Sequence, residues 1–590
     1  MRKSYFLFYF FIALLLWNCS NSNKPPEYEI KIIETSDVHG AIFNYDFIQN
    51  TKSNTSLSQV QTYLKKERQN LDIILLDNGD ILQGQPTVYY YNFQNTIDSH
   101  IVSKVGNYLQ YDAATVGNHD IEAGHDVYDK IVKEFNYPLL AANAVRTDNG
   151  KPYFKPYVII NRKGFRIAVL GLITPRIPDW LPEELWSGIE FEDMIESAKK
   201  WVPIILEREK PDLLVGLFHS GFDFKYANSD ENTYKNENAS ILVAKNVPGF
   251  DIIFIGHDHA TWNESIINTE GNKVIILGPK NNAKQVAEAK IIFKKNSNGL
   301  YDKIIEAQIV DIKNFPVDSL FDVKFQKEFN EVSDYVSKQI GELSHTLNSH
   351  DAIYGPSQFM EFIHSIQLDL THADISFAAN QSFNSTIEKG PIYIRDMFKL
   401  FRYENFLYTM NLTGTEIKNY LEYSYANWFN TMNDESDHLL LFKLDESGNP
   451  EFNETNKSYS LKNMFYNFDV AGGLNYHIDI SKPINQKINI ISLTNGEPFY
   501  SDSIYTVAIN SYRGNGGGGL LELGAGIPKN DIAKRRISST DKDLRYYSIN
   551  WIEEKKIVNT DFKSTWYIVP EKWWKKASQK DKELLNIKNN

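Results

Sequence analysis

Residues 29–40 read Glu29-Ile30-Lys31-Ile32-Ile33-Glu34-Thr35-Ser36-Asp37-Val38-His39-Gly40, an apolar, β-branched run that ends in a carboxylate, an imidazole and a glycine. The run has strand composition, and its ending recurs along the chain. Asp77-Asn78-Gly79-Asp80 follows an apolar run at 72–76, and Gly117-Asn118-His119-Asp120 follows one at 113–116. His219 closes a run at 213–218, and Gly256-His257-Asp258-His259 closes one at 252–255. Runs at 166–172 and 273–277 complete the strand candidates, and stretches such as 57–69, 126–135 and 189–208 between them have helical spacing. The region from Tyr28 to about Val310 therefore reads as layered α/β, with strands apolar enough to be buried on both faces. Open α/β sheets build their sites at the carboxyl ends of strands, so these polar residues, far apart in sequence, should converge.

Imidazole, carboxylate and amide oxygen suit borderline or hard divalent ions such as Zn, Mn or Co. A carboxylate can bridge two of them in a site for phosphoryl displacement, and six or seven such ligands imply two ions. Gly40, Gly79, Gly117 and Gly256 stand beside the candidates, where the backbone must turn sharply. The segments Asp-x-His, Gly-Asp, Gly-Asn-His-Asp, His-Ser-Gly and Gly-His-Asp-His, in this order, resemble the calcineurin-like metallophosphoesterases. That resemblance implies a four-layer αββα domain, with Asp37, His39, Asp80 and His259 around one ion. It places Asp80, Asn118, His219 and His257 around the other, with Asp80 bridging and a water or hydroxide between the ions as nucleophile. It further implies that His119 leans over the scissile phosphate to protonate the leaving oxygen. Glu122 would orient His119, at a position where the related 5′-nucleotidases carry Asp.

The whole chain has 590 residues, about four times a typical domain of roughly 150, and its 42% hydrophobic content fills at least two cores. Wholesale disorder is excluded. With 75 acidic and 62 basic residues the net charge is −13, which argues against a surface built to bind nucleic acid polymers. Cys19 is the sole cysteine, so neither an intramolecular disulfide nor a cysteine-based zinc site exists. Arg2 and Lys3 precede an apolar run at 5–17 of signal-peptide length. Leu16-Trp17-Asn18-Cys19 resembles a bacterial lipobox, so the expected protein is exported, periplasmic or at the cell surface, and held to the membrane by a lipid on Cys19. A polar tether follows to residue 26.

The expected organisation is the leader at 1–26, the metallophosphoesterase domain at 27–315, a linker helix at 316–341, a second domain at 342–557 and a tail at 558–590. The linker carries Leu320, Phe321, Phe325, Phe329, Val332 and Val336 near the helical period. The tail holds Trp566, Tyr567, Trp573 and Trp574, expected to pack on the body, and then charged residues, of which about the last ten should fray.

The second domain, with helical segments at 358–370 and 416–428 and a strand at 505–509, reads as α+β. It resembles the substrate-recognition domain of 5′-nucleotidases and of bacterial 2′,3′-cyclic-nucleotide 2′-phosphodiesterase/3′-nucleotidases. The resemblance is carried by Gly390-Pro391-Ile392-Tyr393, Tyr403-Glu404-Asn405, Leu412-Thr413-Gly414, the stretch 467–476 and Asn510-Ser511-Tyr512-Arg513-Gly514 with its following glycines. It implies a nucleotide substrate whose base lies between two rings, at the positions of Phe468 and Tyr512. Such stacking is worth roughly 1–3 kcal/mol per ring and tolerates any base. Two departures bear on the substrate. The arginine that 5′-nucleotidases carry near the position of Asn384 is missing, and their ribose-binding Asp falls at Gly518. Both losses suit a nucleotide whose 2′ and 3′ oxygens are esterified, which favours the cyclic phosphodiesterase/3′-nucleotidase branch over a 5′-nucleotidase or UDP-sugar hydrolase. Arg395, Arg402 and Arg513 are the candidates for replacing the absent arginine. A nucleotide-binding surface protein without turnover is disfavoured, because every metal and dyad position holds a competent residue.

Overall fold

The computed structural model describes residues 27–226, 229–453 and 458–585. Along the strand Glu27–Thr35 the side chains alternate between two cores. Ile30 and Ile32 point one way and Ile33 the other, and the parallel neighbour Asp72–Asp77 repeats this with Ile74 and Leu76 against Ile73 and Leu75. In a second sheet, Leu213, Val215 and Leu217 share the first of these cores, whereas Leu214 and Phe218 face outward. Two six-stranded sheets are thus stacked face to face. The helices Leu57–Glu67 and Ile101–Leu109 cover one outer face, and Met194–Glu209 and Ser240–Asn246 the other. Each fully buried Ile or Leu contributes on the order of 1.5–3 kcal/mol, so the period of two in the sequence is enforced on both faces.

The first sheet runs, edge to edge, Tyr301–Asp311, Gln285–Lys295, Glu27–Thr35, Asp72–Asp77, Ala113–Thr115, Leu139–Leu140. The second runs Trp262–Ile267, Lys273–Gly278, Ile252–Ile255, Leu213–His219, Phe165–Ile173, Tyr157–Arg162. Within each sheet the strands that carry the polar endings are parallel to one another, so those endings gather at one rim.

Three expectations are corrected. The stretch 189–208 is not one helix: Ile189–Phe191 is a strand paired with Ala144–Arg146, and the helix begins at Met194, where the Asp193 carboxylate accepts from the N–H groups of Ile195 and Glu196. The linker at 316–341 is two helices, Ser319–Lys324 and Gln326–Val336, followed by the strand Gln339–Leu343. Their apolar stripe (Phe321, Phe325, Val332, Val336) is buried in the first domain's core, so the segment belongs to that domain. The tail does not fray over residues 581–585. The strand Trp566–Val569 pairs with Leu474–Asp479, and the helix Glu571–Leu585 buries Asp581, whose carboxylate accepts from the Leu440 N–H at 2.9 Å.

The second domain is built on a five-stranded sheet with Ile375–Ala379 and Ile504–Asn510 at its centre, packed against the helices Gln358–Thr371 and Gly414–Ala426. No helix among the described residues is long and apolar enough to cross a membrane. Cys19 and the leader lie outside the described residues.

Candidate metal centre and interdomain cleft

At the shared rim the backbone leaves each strand in an unusual conformation. Asp37, His39, Asp80, His257 and His259 all have positive φ, between 48° and 78°. For non-glycine residues each such conformation costs on the order of 1–3 kcal/mol and persists only where the surroundings hold it. Here the Asp37 N–H donates to Gly79 O at 3.0 Å and the His39 N–H to Asp80 O at 2.9 Å. The buried Asp120 carboxylate accepts from the N–H groups of Asp80, Ile81, Leu82 and Gly117 at 2.8–3.0 Å, tying two ligand loops together. A side chain at Gly117 would place its Cβ 2.1 Å from Asp80 Oδ1, so only glycine lets that carboxylate approach.

The convergence yields two donor sets. Ligand atoms of Asp37, His39, Asp80 and His259 all lie within 4.8 Å of one another, as do those of Asp80, His219 and His257. Asn118 Oδ1 lies 3.1 Å from His219 Nε2 and 2.9 Å from His257 Nδ1. Asp80 belongs to both sets.

The chemistry of these donors fits cations. His39 Nε2 and His259 Nε2 face each other at 3.0 Å, and the carboxylates of Asp37 and Asp80 are buried beside them. The opposite ring nitrogens are engaged outside the centre: His39 Nδ1 donates to Gln83 O at 3.1 Å and His219 Nδ1 to Asn78 O at 2.6 Å. His257 Nε2 meets Glu237 Oε1 at 3.0 Å, and His259 Nδ1 meets Asn281 Nδ2 at 3.1 Å. The oxygen acceptors outside His39, His219 and His257 take the ring proton and so turn the inner lone pair toward a metal. Burial alone would raise the Asp80 carboxyl, but the charges of His219 and His119 hold it well below the usual range. Against the effect of its own burial, His219 is raised to about 10, chiefly by Asp80.

The second domain closes directly onto the predicted dyad. His119 Nδ1 hydrogen-bonds Glu122 Oε2, while Glu122 Oε1 accepts from the backbone N–H of Glu404 at 3.1 Å. The Tyr403 ring lies parallel to the imidazole, 7° between planes and 5.9 Å between centroids. Arg545, fully buried, holds this strap: it bonds Glu404 Oε1 at 2.6 Å, Phe401 O at 2.7 Å and Arg402 O at 2.8 Å. From the first domain, Gln83 Nε2 donates to Arg402 O at 2.8 Å and the Tyr89 hydroxyl to Asp543 Oδ1 at 3.0 Å. Burial lowers the His119 pKa, but Asp80 and then Glu122 carry it up to about 9.

Of the two rings assigned to the base, the structure buries one in the core. Phe468 is 4% exposed and stacks on Trp428 at 5.4 Å and 12°, with Tyr425 and Phe429 also against it. It is a core residue. The short helical turn Phe465–Asn467 precedes it and leaves Tyr466 half-buried, its phenol within electrostatic reach of Tyr226, Tyr403 and Tyr512. Tyr512 is half-buried in the same group. Trp180 continues this wall, 5.8 Å from the His257 ring, and the ion pair of Asp179 with Lys529 at 2.6 Å fastens the two domains beside it. Sequence reasoning missed Tyr466, Asp120, Glu237 and Asn281. For Tyr466 the signal was its place two residues before a fully apolar ring, with a hydroxyl that a core position would have to satisfy.

The three candidate arginines part company. Arg513 is buried and spent on Asp469, at 3.0 and 2.8 Å, and on the carbonyls of Tyr466 and Gly517. Arg395 bonds Val336 O and Ser337 Oγ, on the linker segment. Arg402 alone lines the cleft, in a cavity of about 360 Å³ that also touches His39, His119, His259 and Asn384. Gly518, at φ 73°, has room for no side chain, since a Cβ would lie 2.4 Å from Arg513 Nη1.

Comparison with known proteins agrees with this architecture. Residues 30–261 match the calcineurin-like phosphoesterase family and residues 339–523 the 5′-nucleotidase C-terminal domain. The chain is 26% identical to the trifunctional nucleotide phosphoesterase protein of Bacillus subtilis over 93% of its own length, although it spans only 40% of that protein. It is also 26% identical to the 2′,3′-cyclic-nucleotide 2′-phosphodiesterase/3′-nucleotidase of Yersinia enterocolitica, over 86% of this chain and 83% of the relative. In fold it resembles a provisionally named 5′-nucleotidase of Staphylococcus aureus, with a TM-score of 0.73 and 21% identity over 92% of this chain and 99% of that one. With its donor sets at the rim of a four-layer domain and its cleft shut by a second, the chain is a metal-dependent hydrolase that carries a calcineurin-like phosphoesterase domain over residues 30–261 and a 5′-nucleotidase C-terminal domain over residues 339–523.

Proposed function

We propose that the protein hydrolyses nucleotides, opening 2′,3′-cyclic esters and then removing the 3′-phosphate to release a nucleoside. The observation that carries this is the pair of donor sets sharing Asp80 directly beneath a dyad that the second domain covers. Two divalent cations held by Asp37, His39, Asp80, His259, Asn118, His219 and His257 would supply positive charge for the phosphoryl oxygens and a water of lowered pKa. The remaining work falls to the chain. His119, with Nδ1 engaged by Glu122, directs Nε2 into the cleft, where it donates a proton to the leaving oxygen. Tyr466 and Tyr512 hold the base by stacking, which accounts for an expected tolerance of base identity. The space denied to a side chain at Gly518 leaves no carboxylate there for a free ribose diol, and this supports the cyclic and 3′-nucleotide branch.

The test is phosphate release from 2′,3′-cyclic AMP, 3′-AMP, 5′-AMP and a UDP-sugar, each with and without a chelator. The reading requires chelator-sensitive turnover with kcat/KM highest for the first two. A value for 5′-AMP at or above that for 2′,3′-cyclic AMP overturns the branch and promotes the 5′-nucleotidase. We further infer export and lipid attachment at Cys19 from the leader. Metabolic labelling with a fatty acid, lost in Cys19→Ala, checks this.

A further inference from the structure

The cavity beside the metal centre has an electrostatic character that the chemistry above does not use. It runs from His39, His119 and His259 to Gln381, Asn384 and Arg402, and no aspartate or glutamate lines it, in a chain of net charge −13. Arg513 and Arg545 are sealed against carboxylates, at 2.8 and 2.6 Å. The Arg402 side chain has no ion pair or hydrogen bond among the described residues, and it lies 5.8 Å from the centre of the Tyr403 ring. Its backbone is nonetheless fixed, the N–H donating to Gln381 Oε1 at 2.9 Å and the carbonyl accepting from Gln83 and Arg545.

From the opposite domain His39, His259 and Asn282 line the same cavity. Lys284, outside the lining, donates to Asn281 Oδ1 at 3.2 Å and lies close enough to feel the charge of Arg402. Two such cations repel, and an anion seated beside Arg402 relieves both. A guanidinium on a fixed backbone is suited to a phosphate, which it binds through two parallel hydrogen bonds.

We propose that this cavity is a phosphate subsite, in which Arg402 binds a phosphate group other than the one at the metal centre. The proposal rests on the nucleotide reading above. The group is either a second phosphate carried by the substrate, as in a nucleoside bisphosphate, or the phosphate released by the reaction.

The metal-loaded full chain is assayed on 3′-AMP and on adenosine 3′,5′-bisphosphate, and inorganic phosphate is titrated as an inhibitor of p-nitrophenyl phosphate hydrolysis. Wild-type enzyme should favour the bisphosphate by about tenfold in kcat/KM, close to the effect of one good charge-assisted pair. Arg402→Ala should abolish that preference, with the bisphosphate falling about tenfold and 3′-AMP less than threefold. Lys284→Ala should remove part of it, and Arg395→Ala, outside the cavity, none. If Arg402→Ala instead weakens phosphate inhibition selectively, the subsite holds released phosphate. Equal losses on both substrates with unchanged inhibition, or no change in any assay, overturn the proposal. Absence of turnover on either nucleotide in wild-type enzyme would sink the nucleotide reading alone, since the inhibition assay still reports on the cavity.

Discussion

The candidate metal centre and the aromatic wall proposed to hold the base occupy the same cleft, yet they are made in different ways. Every predicted ligand comes from one domain, at a strand end, on backbone that is strained at five of the seven positions. The wall is assembled from loops of both domains, with Tyr226 and Trp180 on one side and Tyr403, Tyr466 and Tyr512 on the other. The first depends on local turns that a few buried hydrogen bonds over-determine. The second exists only when the domains are docked. Damage to the centre should therefore remove chemistry whatever the substrate, and damage to the wall should discriminate among substrates.

The largest effect is expected from Asp80→Asn, which takes charge from both donor sets. Turnover should vanish and metal content should fall below two ions per chain, measured by elemental analysis. Full metal loading with near-native activity would break the contrast at its strongest point. His119→Ala should keep both metals and lower kcat by about 10²–10⁴. Metal loss in that variant would show that a ligand has been mistaken for the acid.

Arg545→Met sharpens the comparison at the joint between the regions. It leaves Glu404 and Asp543 buried without their cation, and breaking such an interaction costs about 3–5 kcal/mol. Denaturant melts should register this loss. At denaturant-free concentrations the surviving folded enzyme should lose more activity on nucleotides than on p-nitrophenyl phosphate, whose leaving group needs little help from His119.

Tyr466→Ala and Phe468→Ala, two residues apart, should separate binding from packing. The first should raise KM for nucleotides by roughly 5- to 100-fold, matching about 1–3 kcal/mol of stacking, and spare p-nitrophenyl phosphate. The second should lower stability by about 3–5 kcal/mol and harm both substrates alike. The reverse pattern would restore Phe468 to the base site.

The smallest effect concerns pH. His364 in the second domain's core is held neutral by burial, its pKa pushed down to about 3. Because the unfolded chain protonates this ring near pH 6.5 and the folded one does not, the stability contribution is complete above pH 6.5 and declines as pH falls toward 3. Between pH 6.5 and pH 5 the loss should be about 2 kcal/mol. His364→Gln should flatten that slope in urea melts, and an unchanged slope would refute the assignment.

Short apolar runs made the first domain legible, because near-continuous apolarity over runs such as 72–76 reports burial on two faces, and a polar residue just past such a run has one place to go. The strand-end candidates could be gathered for that reason, and the resemblance to the calcineurin-like metallophosphoesterases picked the seven ligands among them. Other features had no such local signature. Asp120, Glu237 and Asn281 act on partners distant in sequence, and the breaks at Asp193 and Phe325 that divide two expected helices arise from capping and core packing.

By itself the amino-acid sequence determined the layered architecture and the gathering of polar residues at strand ends, since both follow from side-chain type at strand spacing. Only the tertiary structure decided which aromatic faces the cleft. Phe468 and Tyr466 are equally aromatic on paper, and the choice between core and cleft is set by the turn at Phe465–Asn467 and by the rings of Trp428, Tyr425 and Phe429, which leave no space for a ligand beside Phe468. It likewise decided that Arg402, and neither Arg395 nor Arg513, stands free in the cleft, because whether a guanidinium meets a carboxylate or open space depends on neighbours contributed by other segments of the fold.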